Sequence, residues 1–382
     1  MVNQKFTVFS DAHIGIYDNF AQPVKDNNLN DRSLASIQAV AQAFDIAIEK
    51  HTHLISVGDL FDKRGTLDVR LVNRAADLFK EKVPQLAKGC NVYLLAGNHD
   101  QIDNSDVPEN SLKWLQYFST PDHQVYVIDT VQDFAIDDVV DIAFLPYSEN
   151  VKASKEQLAQ LVKTSQVASH PIKLLFAHIG VEGAVDGGLY THRLGGAYGI
   201  GDLYPDVFDK IMLGHYHRRQ ALGATKKTDP KDSQVLYVGS TSQKSFSDEG
   251  QDKGVDLITC SAKTGVKDDF IVLESKQFLT IDLVDQKYAK MSEQELTNLM
   301  SQYYVRVISH DSKEAKQLQK AANHDDIKVA ISLQEEQKSA NRLGIKVTDS
   351  DSKIVKEYAQ KYYPEATDTA LKVLEKTKNS IA

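Results

Sequence analysis

Five short polar clusters, each closing an apolar run, constrain this chain more than any other feature. They are Asp11-Ala12-His13, Gly58-Asp59-Leu60-Phe61-Asp62, Gly97-Asn98-His99-Asp100, Ala177-His178-Ile179-Gly180 and Gly214-His215-Tyr216-His217. The runs before them, over 5–10, 53–57, 91–96, 172–176 and 210–213, are short and nearly continuous in apolar residues, the pattern of strands covered on both faces. Between the first three runs, apolar residues recur three to four apart. Leu34, Ile37, Ala41, Phe44 and Ile48 predict a helix over 33–50, and Val69, Val72, Ala76 and Phe79 predict another over 67–81. Alternation of this kind folds as an α/β unit, and the ligand crevice of an open α/β sheet lies beyond the carboxyl ends of its strands. All five clusters are therefore expected to meet in one crevice.

The residue types at those places suit a pair of divalent ions. Asp11 and His13 are two apart, as are His215 and His217, and in an extended backbone such residues point to the same side. Two catalytic ions sit roughly 3.5–4 Å apart and need a bridging group; a carboxylate has two oxygens, which makes Asp59 the candidate bridge. Asn98 offers an amide oxygen, and His178 and His215 offer imidazole nitrogens. Mixed nitrogen and oxygen ligation without sulfur suits manganese, iron or zinc and matches calcium poorly, so two divalent metal ions are expected, manganese first among them. His99, beside Asn98, is the candidate general acid, and Asp100 is expected to orient its imidazole. Singly these signals are weak: Asp11-Ala12-His13 would ordinarily be a turn, Asp59 to Asp62 a helix cap, and His178 a core histidine. Their joint occurrence carries the metal reading. Asp62, Arg64, Arg218 and Arg219 adjoin the clusters and are candidates for substrate contact. So is His192, in the glycine-rich stretch 183–201, which reads as a long loop rimming the crevice. His51, His53, His123, His170, His310 and His324 lack such context and read as structural or solvated.

At 382 residues the chain can bury one large core and a smaller second unit. Two cysteines make no disulfide framework, no leader-like segment opens the chain and no apolar stretch reaches membrane length, so a cytoplasmic protein with no membrane contact is expected, in a host cytoplasm if phage-encoded. From Lys276 onward there are 17 basic and 16 acidic residues, whereas the first 275 carry 27 and 37. That acidic balance excludes nucleic-acid binding by bulk charge; long duplex contact would need a basic partner. Residues 140–145 read as a further strand, the runs at 234–238, 254–259 and 269–273 as a β-meander, and 225–233 as a polar hairpin tip. Beyond a boundary near 274–276, a strand over 304–308, a helix over 312–322 and a strand over 327–333 form a β-α-β cap. A polar linker follows over 334–342, then two helices over 352–363 and 367–378 split at Pro364. The expected domains are thus 1–275, 276–342 and 343–382.

The clusters resemble, residue by residue, the motifs of the calcineurin-like metallophosphoesterase superfamily: D-x-H at Asp11 and His13, G-D-x-x-D at Asp59 and Asp62, G-N-H-D at Asn98 and His99, the single His178, and G-H-x-H at His215 and His217. The resemblance implies a two-sheet β-sandwich flanked by helices. It also implies one ion on Asp11, His13, Asp59 and His217 and the other on Asp59, Asn98, His178 and His215. Within the superfamily the chain is most similar to the SbcD-type DNA nuclease branch and its phage recombination-endonuclease subunits, through Gly58 to Arg64, Leu145-Pro146-Tyr147 and Tyr237 to Thr241. Archaeal and eukaryotic relatives carry histidine where this chain has Asp62; bacterial and phage members more often have aspartate. That branch implies a DNA exo/endonuclease subunit, a coiled-coil SMC-like ATPase (SbcC-type) docked on the C-terminal helices, and a homodimer for which the helices over 33–50 and 67–81 could supply the surface. A stand-alone phosphatase or cyclic-nucleotide phosphodiesterase is the alternative for the same site.

Overall fold

The first apolar runs pair side by side. β1 (Gln4–Phe9), β2 (His53–Ser56), β3 (Val92–Leu95) and β4 (Val125–Ile128) form a parallel array in the computed structural model, which describes residues 3–381 apart from 26, 106–107, 166–169, 187–191, 224–228, 286–287, 289–290, 314–315, 317–329 and 334–350. Every residue of β2 and β3 is buried, as a sheet covered on both faces requires. Two helices cover the outer face. α1 (Asp31–Lys50) begins where the Asn30 side chain accepts the Ser33 amide and ends at His51 in the left-handed conformation. α2 (Val69–Lys82) begins at Asp68, whose side chain accepts the Arg70 amide. Phe44 and Phe79 from the helices meet Leu54 and Leu94 from the strands in one core.

The chain then builds a second sheet. β5 (Gln132–Ile136), β6 (Val140–Leu145) and β7 (Ile172–His178) come first, with α3 (Val151–Ser165) between the last two. A two-residue pair, β8 (Val185–Asp186) with β9 (His192–Arg193), lies in the glycine-rich stretch. β10 (Lys210–Gly214), β11 (Gln220–Leu222) and β12 (Val235–Tyr237) complete the order β11-β12-β10-β7-β6-β5. β13 (Gly254–Ser261) and β14 (Gly265–Val272) return to the first sheet, giving β14-β13-β1-β2-β3-β4 with β13 antiparallel to β1. Phe6, Tyr93, Phe144 and Phe176 interdigitate between the sheets. The result is the expected α/β architecture, two mixed six-stranded sheets packed as a sandwich with helices outside.

The expected meander is not there. β12 lies parallel to β10 in the second sheet, whereas β13 and β14 form a hairpin in the first. Apolar runs look alike whichever sheet they join, and the connection over 238–253 crosses between the two. Residues 229–233 do belong to the link between antiparallel β11 and β12; 224–228 lie outside the described residues.

A third sheet follows. β15 (Gln277–Asp282), β16 (Tyr303–Ser309) and β17 (Ala330–Leu333) make a parallel array in the order β15-β16-β17, and α4 (Glu293–Gln302) lies between the first two in the chain. β15 and α4 precede the β-α-β unit expected from 304 onward. Most of the helix expected over 312–322, and all of the linker over 334–342, lie outside the described residues. α5 (Asp351–Tyr362) and α6 (Thr367–Ile381) then pack on each other across a turn at Pro364–Ala366. Among the described residues no helix is long and apolar enough to cross a membrane.

Candidate metal centre

Strand ends bring the polar clusters together. Asp11, Asp59 and Asn98 follow the adjacent strands β1, β2 and β3, whereas His178 closes β7 and His215 follows its neighbour β10. The turns are tied to one another by main-chain bonds: Asp11 N donates to Gly58 O (3.0 Å) and His13 N to Asp59 O (3.0 Å). The extended backbone expected at Asp11-Ala12-His13 is not found. Asp11 (φ +51°), His13 (+45°), Asp59 (+53°) and His215 (+98°) all lie in the left-handed region, where a side-chain-bearing residue costs on the order of 1–3 kcal/mol. Four such residues at one place show a backbone bent to aim these side chains inward, and the surrounding fold sustains that strain.

The side chains meet at short range and are largely buried. His13 Nε2 lies 3.1 Å from His217 Nε2, 3.8 Å from Asp11 Oδ1 and 3.7 Å from Asp59 Oδ2. His178 Nε2 lies 3.2 Å from Asp59 Oδ2 and 3.1 Å from Asn98 Oδ1, and His215 Nδ1 lies 2.9 Å from that same Asn98 oxygen. Ligand atoms of Asp11, His13 and His217, of His13, Asp59 and His99, and of Asp11, Asp59 and His178 each fall within 4.8 Å of one another. His178 Nδ1 bonds to Val57 O at 2.7 Å, which fixes the ring and leaves Nε2 for the centre, the arrangement that orients metal-binding histidines. The glycines make this closeness possible. A Cβ on Gly58 would come 2.1 Å from His178 Nδ1, one on Gly97 2.2 Å from Asp59 Oδ1, and one on Gly214 2.1 Å from Val57 O.

The electrostatics fit a bound cation. Burial pushes the Asp59 carboxyl up, but His178 foremost, with His13 and His99, outweighs that and holds it well below the usual carboxylate range. His178 itself, disfavoured as a cation by burial, is lifted to about 9 by Asp59. Burial, reinforced by neighbouring imidazoles, lowers His215 and His217 to about 4, so both present neutral nitrogens at neutral pH. Two neutral imidazoles, His215 and His217, beside an ionised, buried carboxylate form a donor set that divalent ions complete, and His178, protonated at neutral pH against Asp59, would release its proton to an ion that took its place.

The remaining candidates divide. His99 is half-buried, its Nδ1 bonded to the Asp62 carbonyl and its ring edge-on to His13 at 4.7 Å. Asp100 does not orient it. Both Asp100 oxygens are taken by main-chain amides, from Gly97 (3.0 Å), Phe61 (3.1 Å) and Leu60 (3.4 Å), and burial followed by the charge of Asp59 raises its carboxyl to about 7. Asp62 Oδ1 lies 3.3 Å from the buried His13 Nδ1, close enough for charge but outside hydrogen-bond geometry. Arg64 is exposed and bonds Asn104 (2.6 Å) and the Asp103 carbonyl. Arg218 is half-buried, its carbonyl accepting from Gln220. Arg219 is unavailable to a phosphate: its guanidinium pairs with buried Asp256 and covers the Phe270 ring at 4.5 Å. His192, in β9, pairs through its backbone with Asp186 of β8, and its side chain lies outside the described residues. Sequence reasoning missed three supports. Tyr17 donates to the His13 carbonyl, Lys244 to the Ala12 carbonyl, and Lys253 to the His217 carbonyl at 2.6 Å. Lysines on a polar stretch give no local sign that they will be buried; only the packed sandwich shows it.

Residues 4–219 match the family described as calcineurin-like phosphoesterase. The chain is 26% identical over 230 residues to the uncharacterized metallophosphoesterase YhaO of Bacillus subtilis, covering 59% of this chain and 49% of that protein. It is 21% identical over 227 residues to the SbcD subunit of the nuclease SbcCD of Staphylococcus epidermidis, covering 54% of each. The chain thus spans about half the length of the curated relatives it matches. Among solved structures, the calcineurin-like phosphoesterase YfkN of Bacillus subtilis aligns over 71% of this chain and 91% of its own, with 14% identity and a TM-score of 0.40.

Proposed function

The chain belongs to the calcineurin-like phosphoesterase family, and from that premise we propose that it is a two-metal phosphodiesterase, the nuclease subunit of an SbcCD-like DNA-processing complex. One observation carries the reading: seven nitrogen- and oxygen-bearing side chains from five strand ends converge in one buried cluster. Asp11, His13, Asp59 and His217 would hold one ion, and Asp59, Asn98, His178 and His215 the other. When bound, such a pair supplies activated water and positive charge for the phosphate oxygens, and manganese is our first choice. The chain's own groups do the rest. Asp59 offers a carboxylate already below the usual range despite its burial, held there by the histidines that face it, so no proton has to be displaced from it. The Asp62 carbonyl accepts the Nδ1 hydrogen of His99, so the imidazolium form would carry its second proton on Nε2, to be passed to the leaving oxygen. Gly58, Gly97 and Gly214 keep side-chain bulk out of the centre.

The DNA substrate and the ATPase partner rest on weaker support: the likeness to a nuclease subunit and the form of the C-terminal helices. α5 and α6 expose Ile354, Tyr358, Tyr362 and Val373, an apolar surface suited to a coiled coil. A partner of that kind would supply the basic surface that the acidic first 275 residues lack. The test is hydrolysis by purified protein with manganese of labelled linear DNA against bis-p-nitrophenyl phosphate. Cleavage of both supports the nuclease reading; cleavage of the small ester alone moves the chain to the stand-alone phosphodiesterases. Deleting 351–382 should abolish co-purification with the coiled-coil ATPase, and undiminished co-purification would remove the docking claim.

A further inference from the structure

His217 stands outside the regular structure. β10 ends at Gly214 and β11 begins at Gln220, so this candidate ligand sits in the turn between them, whereas His178 is the last residue of β7 and pairs with Gly214 across the sheet. Other parts of the chain hold that turn. The His217 carbonyl accepts two hydrogen bonds, from the Ser240 amide (3.0 Å) and from Lys253 Nζ (2.6 Å). Lys253 is buried immediately before β13, and its own carbonyl accepts the Leu273 amide (2.9 Å). It is thus anchored beside the first sheet and reaches across to the turn of the second. Its ammonium has three hydrogens, and three acceptors surround it: the His217 carbonyl, Asp248 Oδ1 (2.9 Å) and Gln251 Oε1 (3.1 Å). Asp248 is buried as well, and its other oxygen accepts the Lys244 amide (2.8 Å).

A buried ion pair is a poor source of stability, because the cost of taking two charges out of water offsets their attraction, and uncharged residues of similar volume often serve as well. What an apolar side chain cannot do is hold a carbonyl. We propose that Lys253 is a positioning residue: its bond to the His217 carbonyl sets where that imidazole points, and so sets the affinity of one ion site, that of Asp11, His13, Asp59 and His217. Asp248 cancels the charge of the lysine, so the tether brings no net positive charge beside two cations. The other site is held by different means. His178 is fixed by its strand and by Val57 O (2.7 Å), and the His215 amide donates to Asp11 (3.2 Å). The inference rests on the two-metal reading and makes the two ions unequal in what secures them.

Lys253→Met combined with Asp248→Asn removes the tether without stranding a buried charge, and keeps an acceptor for the Lys244 amide. Manganese titration of the full chain by calorimetry reads the result, with the spin-coupled resonance of a manganese pair as its spectroscopic signature and the urea midpoint as the check on folding. The unaltered chain should bind two ions. The double variant should bind one as before and the other about ten- to a hundredfold more weakly, the usual effect of losing a group that orients a metal ligand. At intermediate manganese the resonance of an isolated ion should then replace the coupled one. Asp248→Asn alone leaves the bond to His217 in place and should keep both ions. Two ions bound by the double variant as tightly as by the unaltered chain overturn the proposal. So does equal weakening of both ions with a lowered urea midpoint, which would make Lys253 a support of the fold alone. Loss of one ion in Asp248→Asn to the same extent as in the double variant also overturns it, since charge balance and not the tether would then set the affinity. If the unaltered chain binds fewer than two ions, the two-metal reading falls, and the role of Lys253 with it.

Discussion

Asp100 and His99 are neighbours in sequence with separate tasks. Asp100 gathers the amides of Gly97, Phe61 and Leu60 and so clamps two of the metal-centre turns together. Each buried amide stranded by its loss costs about 1–3 kcal/mol, so Asp100→Ala should destabilise the protein by about 3 kcal/mol or more in urea unfolding. His99 is only half-buried and clamps nothing comparable. His99→Ala should leave the urea midpoint nearly unchanged yet lower kcat on phosphodiesters by roughly 10²–10⁴, the usual range for a general acid. An Asp100→Ala protein of full stability with the kinetics of His99→Ala would restore the orienting role and remove the clamp. His53 carries a pH signature well away from these groups. It is buried on β2, its Nδ1 accepting the Asn91 amide at 3.0 Å, and burial lowers it to about 4. A depressed base favours the fold in its neutral form, so its contribution is complete above about 6.5 and is lost as pH falls toward 4. The stability gap between the natural chain and His53→Gln, which cannot titrate, should therefore close by about 3 kcal/mol between pH 7 and pH 4. A gap that is flat across that window would show that His53 is not held neutral.

At the scale of elements, the candidate ligands sit at strand ends and in the turns that follow them, not in the strand interiors. Gly58 shows this most sharply. Its φ is +93°, and a Cβ there would stand only 2.1 Å from His178 Nδ1, which leaves no room for a side chain. Gly58→Ala should fold with its sheets intact by circular dichroism but bind fewer than two manganese ions per chain by elemental analysis. Two ions bound as tightly as in the unaltered protein would mean the turn yields without disturbing His178. These turns are legible in the sequence because ligand chemistry leaves few residue choices, and the buried strands before them are legible from continuous apolar runs. What the residues do not disclose is pairing and partnership. β12 and β13 follow similar patterns yet lie in different sheets, and the left-handed turn at Asp11 and His13 passes for extended chain until its bonds to Gly58 and Asp59 are known. β15 is obscured by its charged and polar neighbours. α4 does carry a start signal, in Ser292 and Glu295, whose side chains and backbones form a reciprocal capping box. That signal is local, but only Leu296, Leu299 and Met300 follow it, too few apolar positions to mark a stripe by periodicity.

At the scale of the molecule, the third sheet and the metal centre share a support. The Arg32 guanidinium lies over Tyr17 (4.7 Å), Phe278 (5.1 Å) and Tyr304 (5.6 Å), and it donates to the carbonyls of Asn19 and Lys244, both at 2.7 Å. Phe278 belongs to β15 and Tyr304 to β16, whereas Tyr17 and Lys244 hold the carbonyls of His13 and Ala12. One cation therefore touches the face of the third sheet and the residues that pin the Asp11 to His13 turn. Cation–π contacts contribute about 0.5–2 kcal/mol each and hydrogen bonds from a charged donor about 1.5–3, so the junction is strong enough to join the two parts mechanically. Arg32→Met keeps much of the stem's bulk and removes the charge and the donors. Amide exchange should then quicken in β15 and β16 and, with them, at residues 11–13, although the substitution lies on α1 and touches no candidate ligand. Faster exchange in the third sheet with unchanged protection at 11–13 would show two parts that merely abut. Joint loosening would mean that a load on the third sheet, such as a partner seated there, reaches the metal-holding turn by way of Arg32.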